Sequence, residues 1–211
     1  MLPPELRIAG AVLCGGASRR MGTDKALLEI DGRALARRVH DALVAAGCAP
    51  VRAVGGDSAA LGVLGLDVID DQYPGEGPLG ALITALAATR DEADIVVALA
   101  CDLPDADPRA IAAVCAPFGA AGGDELDVVV PRSEDRHHMH HAAWHVRTLP
   151  VLQAAFAAGE RAPRRVLAQL RVHPLAVEPL LDPRWLADLD EPGDVAARRN
   201  STDVAARRKG R

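Results

Sequence analysis

A glycine pair and three cationic side chains stand near the start of the chain, directly after an apolar run over 8–13. The run predicts a buried first strand. Gly15 and Gly16 at its end allow a sharp turn and leave amide N–H groups uncovered for an anion. The cations that follow are Arg19, Arg20 and Lys25. Because a guanidinium group suits two phosphate oxygens and an ammonium group acts as a point charge, the stretch favours phosphate binding over a merely solvated surface loop.

A carboxylate, Asp102, follows the most strand-like run in the chain, residues 94–100. The near-continuous apolar character of that run predicts a strand buried on both faces, as in a parallel sheet. Mg²⁺ prefers hard oxygen ligands, and its sites combine one or two carboxylates with substrate phosphates. An aspartate just before Pro104 is also typical of a turn or a helix cap. The phosphate-binding stretch at the same predicted sheet edge favours the Mg²⁺ interpretation.

Strands and helices that would position these groups alternate along the first half of the chain. The hydrophobic pattern predicts strands over 8–13, 51–54, 66–69 and 94–100, and helices over 33–46, 79–88 and 108–115. This alternation predicts an α/β fold with a three-layer, mostly parallel, doubly wound sheet. Ligands bind such sheets at the carboxyl ends of the strands, which here carry Gly15, Gly55, Asp71 and Asp102.

The second half of the chain has a less regular pattern. Strands are predicted over 127–130, 142–146 and 172–177, and helices over 149–158 and 163–170. A last helix is predicted after Pro192, and the sequence over 194–199 recurs over 203–208. We therefore expect one domain over 1–199 and a basic tail over 200–211 that is disordered or a frayed helix.

The composition argues against several classes of protein. A formal net charge of −5 and a pI near 5.8 argue against nucleic acid as the main partner. No apolar run is long enough to span a membrane and no signal peptide opens the chain, so a cytoplasmic protein is expected. The four cysteines are widely spaced and form no Cys-x-x-Cys pair, which predicts reduced, buried thiols.

Histidines are concentrated between 136 and 145, in the run Arg-His-His-Met-His-His-Ala-Ala-Trp-His. This density is compatible with a transition-metal carrier. On a strand, side chains alternate between the two faces, so each face would offer too few ligands for a closed metal site. We favour a cationic or hydrogen-bonding edge of the ligand crevice, and the metal carrier remains the alternative.

Residues 13–25 as a whole resemble the signature of sugar-nucleotidyltransferase-like enzymes, Leu-Ala-Gly-Gly-x-x-x-Arg-Met-Gly-x-Asp-Lys. Within that superfamily the stretch is most similar to the molybdenum cofactor guanylyltransferases. Cys14 departs from the usual alanine, one small side chain in place of another. Three further stretches resemble the second, third and fourth motifs of the family, in the same order: 68–71, 77–80 and 101–104.

The resemblance implies a role for each matching residue. The predicted nucleotide-binding residues are Leu13, Cys14, Gly15, Gly16, Lys25, Gly55, Asp71 and Asp102. Gly55 is included because it ends the predicted strand over 51–54. The residues predicted to act in catalysis are Arg20, Lys25 and Asp102. Of these, Asp102 is implied to contact both Mg²⁺ and the nucleotide.

Residues 188–194 resemble an Asn-x-Asn-Thr-Pro-Glu-Asp motif, whose first positions approach the metal and the acceptor phosphate. Asp188 and Asp190 stand where the family has asparagine, which adds negative charge. The change suits a second carboxylate on Mg²⁺, so Asp190 joins Asp102 as a predicted metal ligand. An Asx turn that starts a helix is the other interpretation of this stretch.

The histidine run is similar to a family segment that lines the acceptor side of the crevice. His138 matches that segment, whereas Met139 and His140 depart from its usual residues. We therefore expect His138 and Asp188 on the acceptor side, where they would face the phosphorylated pterin.

The resemblance implies Mg²⁺-dependent transfer of GMP from GTP to the terminal phosphate of molybdopterin, with release of pyrophosphate. An anionic nucleophile needs no strong general base, in agreement with a sequence that offers no convincing Ser-His-Asp arrangement. The alternatives are a cytidylyl- or uridylyltransferase acting on another phosphorylated acceptor, and a non-catalytic nucleotide-binding protein. The partners expected are GTP and molybdopterin, with a monomer or weak oligomer and handover of the product to molybdoenzyme chaperones.

Overall fold

The computed structural model describes residues 1–15, 24–134 and 136–189. The strands in these residues are β1 (Ile8–Leu13), β2 (Glu29–Ile30), β3 (Arg33–Ala34), β4 (Val51–Val54), β5 (Asp67–Ile69), β6 (Ile95–Ala100), β7 (Val128–Ser133), β8 (Arg136–His137), β9 (His141–His145) and β10 (Val172–Ala176). The α-helices are α1 (Leu35–Ala46), α2 (Ser58–Val63), α3 (Pro78–Thr89), α4 (Pro108–Cys115) and α5 (Leu149–Ala157). None of these helices has both the length and the apolar character needed to cross a bilayer.

Most of the described strands form one sheet, in the order β10-β7-β9-β6-β1-β4-β5, with β8 paired to β7. β1 is parallel to both β4 and β6, and its register with β6 runs from Ile8 opposite Ile95 to Leu13 opposite Ala100. β9 is antiparallel between β6 and β7, and β10 is parallel to β7. The carboxyl ends of β1, β4, β5, β6, β7 and β10 therefore share one edge of the sheet.

Apolar cores fill the space between the sheet and the helices on both of its faces. On one face α1 and α4 bury Leu43 and Ile111, and on the other α3 and α5 bury Leu82 and Leu152. Gly10 of β1 allows α1 to pack closely, because a Cβ atom there would lie 3.1 Å from Leu43 Cδ1. This arrangement confirms the predicted three-layer, mostly parallel α/β fold.

Helix ends follow the local sequence. α1 stops at Gly47, whose φ of 102° is costly for a residue with a side chain. α3 starts with Pro78, which lacks an N–H at the one position where a helix does not need it. These two helices were predicted to within two residues of their observed ends.

Some predicted elements differ from the structure. The segment over 163–170 forms two 3₁₀ turns, Pro163–Arg165 and Leu167–Gln169, instead of an α-helix. Its apolar residues Pro163, Val166, Leu167 and Leu170 keep the spacing of a helix face, but after Pro163 only Val166 is fully buried. The short helix α2, capped by Asp57, was not predicted. The helix predicted after Pro192 and the tail over 200–211 lie outside the described residues.

Candidate functional site

The winding of the sheet reverses between β1 and β6. From β1 the chain adds β4 and β5 on one side, and then returns to place β6 on the other side of β1. Crevices that bind ligands form at such switch points, at the carboxyl ends of the strands. Cys101 N donates to Leu13 O at 3.2 Å there, and Cys14 N donates to Val54 O at 2.9 Å. Backbone hydrogen bonds thus fix the start of the glycine loop beside Asp102.

Gly15, Gly55 and Asp71 pack against one another at this edge. A Cβ atom on Gly15 would lie 3.1 Å from Asp71 Oδ2, and one on Gly55 would lie 3.3 Å from the Cα atom of Gly15. Asp71 Oδ1 accepts hydrogen bonds from Tyr73 N at 3.0 Å and Thr84 Oγ1 at 3.1 Å. The glycines therefore bring backbone close to the other carboxylate oxygen, Oδ2, where a side chain would not fit.

Lys25 and Asp102 form an ion pair at the same edge. Lys25 lies in a 3₁₀ turn, Lys25–Leu27, that begins where Asp24 Oδ1 accepts from Ala26 N at 3.0 Å. Its Nζ donates to Asp102 Oδ2 at 3.1 Å and to Leu189 O at 2.6 Å. The two charged side chains are only 17% and 19% exposed. The alternative that Asp102 caps the following helix does not hold, because Asp107 caps α4.

The donors at this edge suit a hard divalent cation. Asp102 supplies a carboxylate oxygen just after β6, beside the end of β1 that leads to Gly15, and Mg²⁺ needs only one or two carboxylates when phosphate oxygens complete its shell. Within the described ranges no three His, Cys, Asp or Glu residues are grouped so as to hold a metal ion by themselves. The other predicted residues of this site, Gly16, Arg20 and Asp190, lie outside the described residues.

The four cysteines are buried and free. The Cys101 thiol is hydrogen-bonded to Cys14, and this bond together with burial raises the pKa of Cys101 well above its usual value. Burial likewise raises the pKa of Cys48 to about 12. Thiols that stay protonated are poor nucleophiles, so these two side chains act as packing groups.

The histidine run is one antiparallel partner of β7, interrupted by a turn at 138–140. β8 ends at His137, residues 138–140 turn, and β9 starts at His141. His138 Nε2 and Ser133 Oγ are hydrogen-bonded at 2.8 Å, and the rings of His138 and His140 meet edge-on with centroids 5.7 Å apart. His141 points into the core and is fully buried.

Burial keeps two of these histidines neutral. It lowers the pKa of His138, and the neighbouring His140 and Arg136 lower it further. It also lowers the pKa of His141 to about 3. Nε2 of His138 is engaged by Ser133 and its Nδ1 atom is buried, so a contact of His138 with the acceptor stays a prediction.

A segment near the C-terminal end of the described chain crosses the site. Leu189 N donates to Asp102 O at 3.1 Å, and His140 is hydrogen-bonded through Nε2 to Leu186 O at 2.9 Å. Asp188 Oδ2 lies 3.9 Å from Arg136 Nη2 and 4.0 Å from His140 Nδ1. The structure thus brings the predicted acceptor-side residue Asp188 next to the turn at 138–140.

Sequence reasoning missed three groups of this segment: the His140 imidazole and the carbonyl groups of Leu186 and Leu189. The carbonyl groups carry no sequence signal, because every residue has one. The carbonyl group of Leu186 is 46 residues away from His140 in the sequence, and that of Leu189 is 164 residues away from Lys25. The departure of His140 from the family pattern was the one available sign.

A cleft of about 270 Å³ opens between α3 and the sheet. Its mouth is formed by Gly15 and His140, and its walls are mostly apolar, with Leu13, Leu82 and Trp144 among them. Pockets of this kind hold flat, largely apolar ligands oriented by a few polar groups. Gly15, which follows β1, therefore adjoins a slot whose apolar walls suit a ring system.

Comparison with known proteins gives a consistent result. Residues 10–175 match the family model described as the MobA-like NTP transferase domain. A protein of Rhodobacter capsulatus named molybdenum cofactor guanylyltransferase is 34% identical over 195 residues, which cover 90% of this chain and 94% of that protein. The chain is thus similar to that protein over almost the full length of both.

Solved structures show the same fold. Molybdopterin-guanine dinucleotide biosynthesis protein A from Archaeoglobus fulgidus superposes with a TM-score of 0.74 at 21% identity, over 92% of this chain and 98% of that one. A 4-diphosphocytidyl-2C-methyl-D-erythritol synthase from Anaerococcus prevotii gives 0.71 at 10% identity, over 93% and 96%. Since proteins named for guanine and for cytidine share the architecture, the fold leaves the choice of base to the site itself.

Proposed function

This chain belongs to the MobA-like NTP transferase family, and on that premise we propose that it transfers GMP from GTP to the terminal phosphate of molybdopterin, with release of pyrophosphate. The observation that carries the proposal is the Lys25–Asp102 ion pair, 3.1 Å long, at the switch point between β1 and β6. The curated relative of 34% identity is named for the same activity.

The reaction needs positioning and charge neutralisation more than proton transfer. The acceptor phosphate is already an anion, so it attacks the α-phosphate in line without a strong general base. Lys25 donates to phosphate oxygens of the triphosphate and stabilises the charge that gathers on pyrophosphate as it leaves. The backbone at Gly15 approaches the phosphates closely, as the contact distances at that glycine allow. Arg20, outside the described residues, is proposed as a second cation.

Asp102 is the residue proposed to hold Mg²⁺, with Asp190 as a second carboxylate from outside the described residues. A divalent cation bound there supplies charge neutralisation between the α-phosphate and the leaving-phosphate oxygens. The contact of Asp102 with Lys25 supports this role, because it holds a carboxylate oxygen and a cation together at the edge where the phosphates would lie.

Asp71 is proposed to read the base. Its Oδ1 atom is already engaged by Tyr73 and Thr84, which fixes the carboxylate and leaves Oδ2 to accept from a ligand. Guanine offers two adjacent N–H donors, at N1 and N2, whereas cytosine and uracil do not present that pair. A fixed carboxylate at this position therefore favours GTP.

Transfer from labelled nucleotides tests the proposal. GTP, CTP and UTP, each labelled at the α-phosphate, are incubated with molybdopterin and Mg²⁺, and labelled product and pyrophosphate are measured. The proposal predicts label on molybdopterin from GTP alone, with one pyrophosphate for each transfer. Transfer from CTP or UTP would show that the protein is specific for a nucleotide other than GTP. GTP binding without transfer to molybdopterin would indicate a nucleotide-binding protein.

A further inference from the structure

Residues 186–189 form a strap across the sheet edge, anchored separately at its two ends. At the nucleotide end, Leu189 donates its N–H to Asp102 O at 3.1 Å and accepts from Lys25 Nζ at 2.6 Å. Its side chain is buried against Ile30 and Leu35. The nucleotide end is thus held by two hydrogen bonds and a small apolar cluster.

The other end of the strap is held by the buried side chain of Leu186 and by a hydrogen bond from His140 to the Leu186 carbonyl group. A carbonyl oxygen can only accept a hydrogen bond, so the 2.9 Å contact with Leu186 O requires the proton of His140 to lie on Nε2. The Nδ1 atom of the same ring lies 4.0 Å from Asp188 Oδ2. His140 is 19% exposed and packs edge-on against His138, which limits the other positions its ring can adopt.

We propose that His140 is a positioning residue for acceptor binding: by donating to Leu186 O, it holds the strap so that the Asp188 carboxylate faces the acceptor side of the crevice. This inference rests on the proposed function, since it assigns the acceptor to that side. A carboxylate accepts hydrogen bonds and does not donate them, so Asp188 suits the N–H groups of a pterin ring better than the phosphate of the same molecule.

The separate anchors determine what a change at His140 does. Loss of the Leu186 contact loosens the strap on the Leu186 side of Asp188, whereas Leu189, on its other side, stays bound to Lys25 and Asp102. The nucleotide end then keeps its geometry. A net hydrogen bond contributes about a fivefold to tenfold change in an equilibrium constant. His140→Ala is therefore expected to raise KM for molybdopterin by about that factor and to leave KM for GTP within about twofold.

Two variants and a control test the inference in steady-state assays with the full chain. His140→Gln places an amide nitrogen near the position of Nε2 and is expected to restore KM for molybdopterin to near the wild-type value. His140→Ala is expected to show the selective increase. The control His173→Ala removes a partly buried histidine from the edge strand β10 and is expected to change neither KM. Equal KM values for molybdopterin in wild type, His140→Ala and His140→Gln would overturn the inference.

Hydrogen exchange separates failure of this inference from failure of the proposed function. The strap amides over 186–188 are expected to exchange faster in His140→Ala than in wild type, and in His140→Gln at the wild-type rate, whereas the Leu189 amide, bound to Asp102 O, is expected to be unchanged in both. This measurement needs no substrate, so it decides whether His140 holds the strap even if the wild-type protein transfers nothing to molybdopterin. Unchanged exchange of the amides over 186–188 in His140→Ala would overturn the inference, while absence of transfer by wild type would overturn the proposed function.

Discussion

Backbone geometry positions one end of the sheet edge, and side-chain hydrogen bonds position the other. At the nucleotide end, parallel strands in register place Gly15 beside Asp102, and two glycines bring their backbone against Asp71. At the acceptor end, the turn at 138–140 and the strap over 186–189 meet through His140 and Asp188. The first end therefore inherits its shape from the sheet, while the second depends on individual contacts.

The acceptor end also retains polar atoms that the described residues leave unpaired. Nδ1 of His138, both ring nitrogens of His141 and Nε1 of Trp144 are buried without a hydrogen-bond partner. Each such atom costs about 1–3 kcal/mol of folding free energy. These unpaired atoms therefore lower the free energy of unfolding at the acceptor end of the described chain. The predictions below test this contrast, from the largest expected effect to the smallest.

Loss of either member of the Lys25–Asp102 pair should have the largest effect. Lys25→Ala and Asp102→Asn are each expected to lower kcat for GMP transfer by about a hundredfold or more, since each removes a group that stabilises developing charge. Circular dichroism should show a folded protein in both cases. The control Arg90→Ala breaks an exposed ion pair with Asp91, 3.5 Å long, and should keep wild-type turnover. Wild-type turnover in Lys25→Ala would contradict the catalytic role.

Gly15→Ala tests whether close backbone approach matters at the nucleotide end. The new Cβ atom would lie 3.1 Å from Asp71 Oδ2, so the loop or the carboxylate must move. A shift of this kind is expected to lower kcat/KM for GTP by about tenfold to a hundredfold. Gly62→Ala in α2 is the matched control, because nothing lies within 4 Å of its Cβ position and a helix favours alanine. Equal values of kcat/KM for GTP in Gly15→Ala and Gly62→Ala would contradict the steric argument.

Acid sensitivity should arise at the acceptor end. The folded pKa of His141, about 3, lies below the unfolded value of about 6.5, so the neutral ring stabilises the fold fully above pH 6.5. This contribution falls as pH decreases from about 6.5 toward 3, by about 1.4 kcal/mol at pH 5.5. Urea unfolding at pH 7.5 and 5.5 should show a smaller loss for His141→Leu than for wild type, by about that amount. Equal losses in the two proteins would contradict a neutral buried His141.

Cys14→Ala should have the smallest effect. It removes the side chain hydrogen-bonded to Cys101 while leaving the backbone bond from Cys14 N to Val54 O in place. Because the backbone sets the geometry here, kcat/KM for GTP should stay within about twofold of wild type, and the free energy of unfolding should fall by about 1 kcal/mol. A large loss of activity would show that the nucleotide end depends on side chains as the acceptor end does.

The nucleotide end was also easier to predict from the sequence than the acceptor end. The strands β1, β4 and β6 and the helices α1 and α4 were predicted because buried parallel strands and amphipathic helices leave a periodic apolar pattern. The helix α3 is buried on most sides and was predicted from its alanine-rich sequence and from Pro78 at its start. The closeness of Lys25 and Asp102 followed from the rule that strand ends share one edge. The role of His140 could not be predicted, because its partner is a backbone carbonyl 46 residues away. The 3₁₀ turns over 163–169 were missed because the apolar residues of this segment have helical spacing, which by itself predicts an α-helix.

The stabilisation of the protein by GTP tests the central claim most directly. Melting temperatures are measured for wild type, Lys25→Ala and Arg90→Ala, with GTP, CTP or no nucleotide, and with and without Mg²⁺. At a GTP concentration about a hundred times Kd, wild type and Arg90→Ala should melt about 5–10 °C higher when Mg²⁺ is present, and Lys25→Ala should not. An equal shift in Lys25→Ala, or no shift in wild type with GTP and Mg²⁺, would contradict a nucleotide site at the Lys25–Asp102 edge.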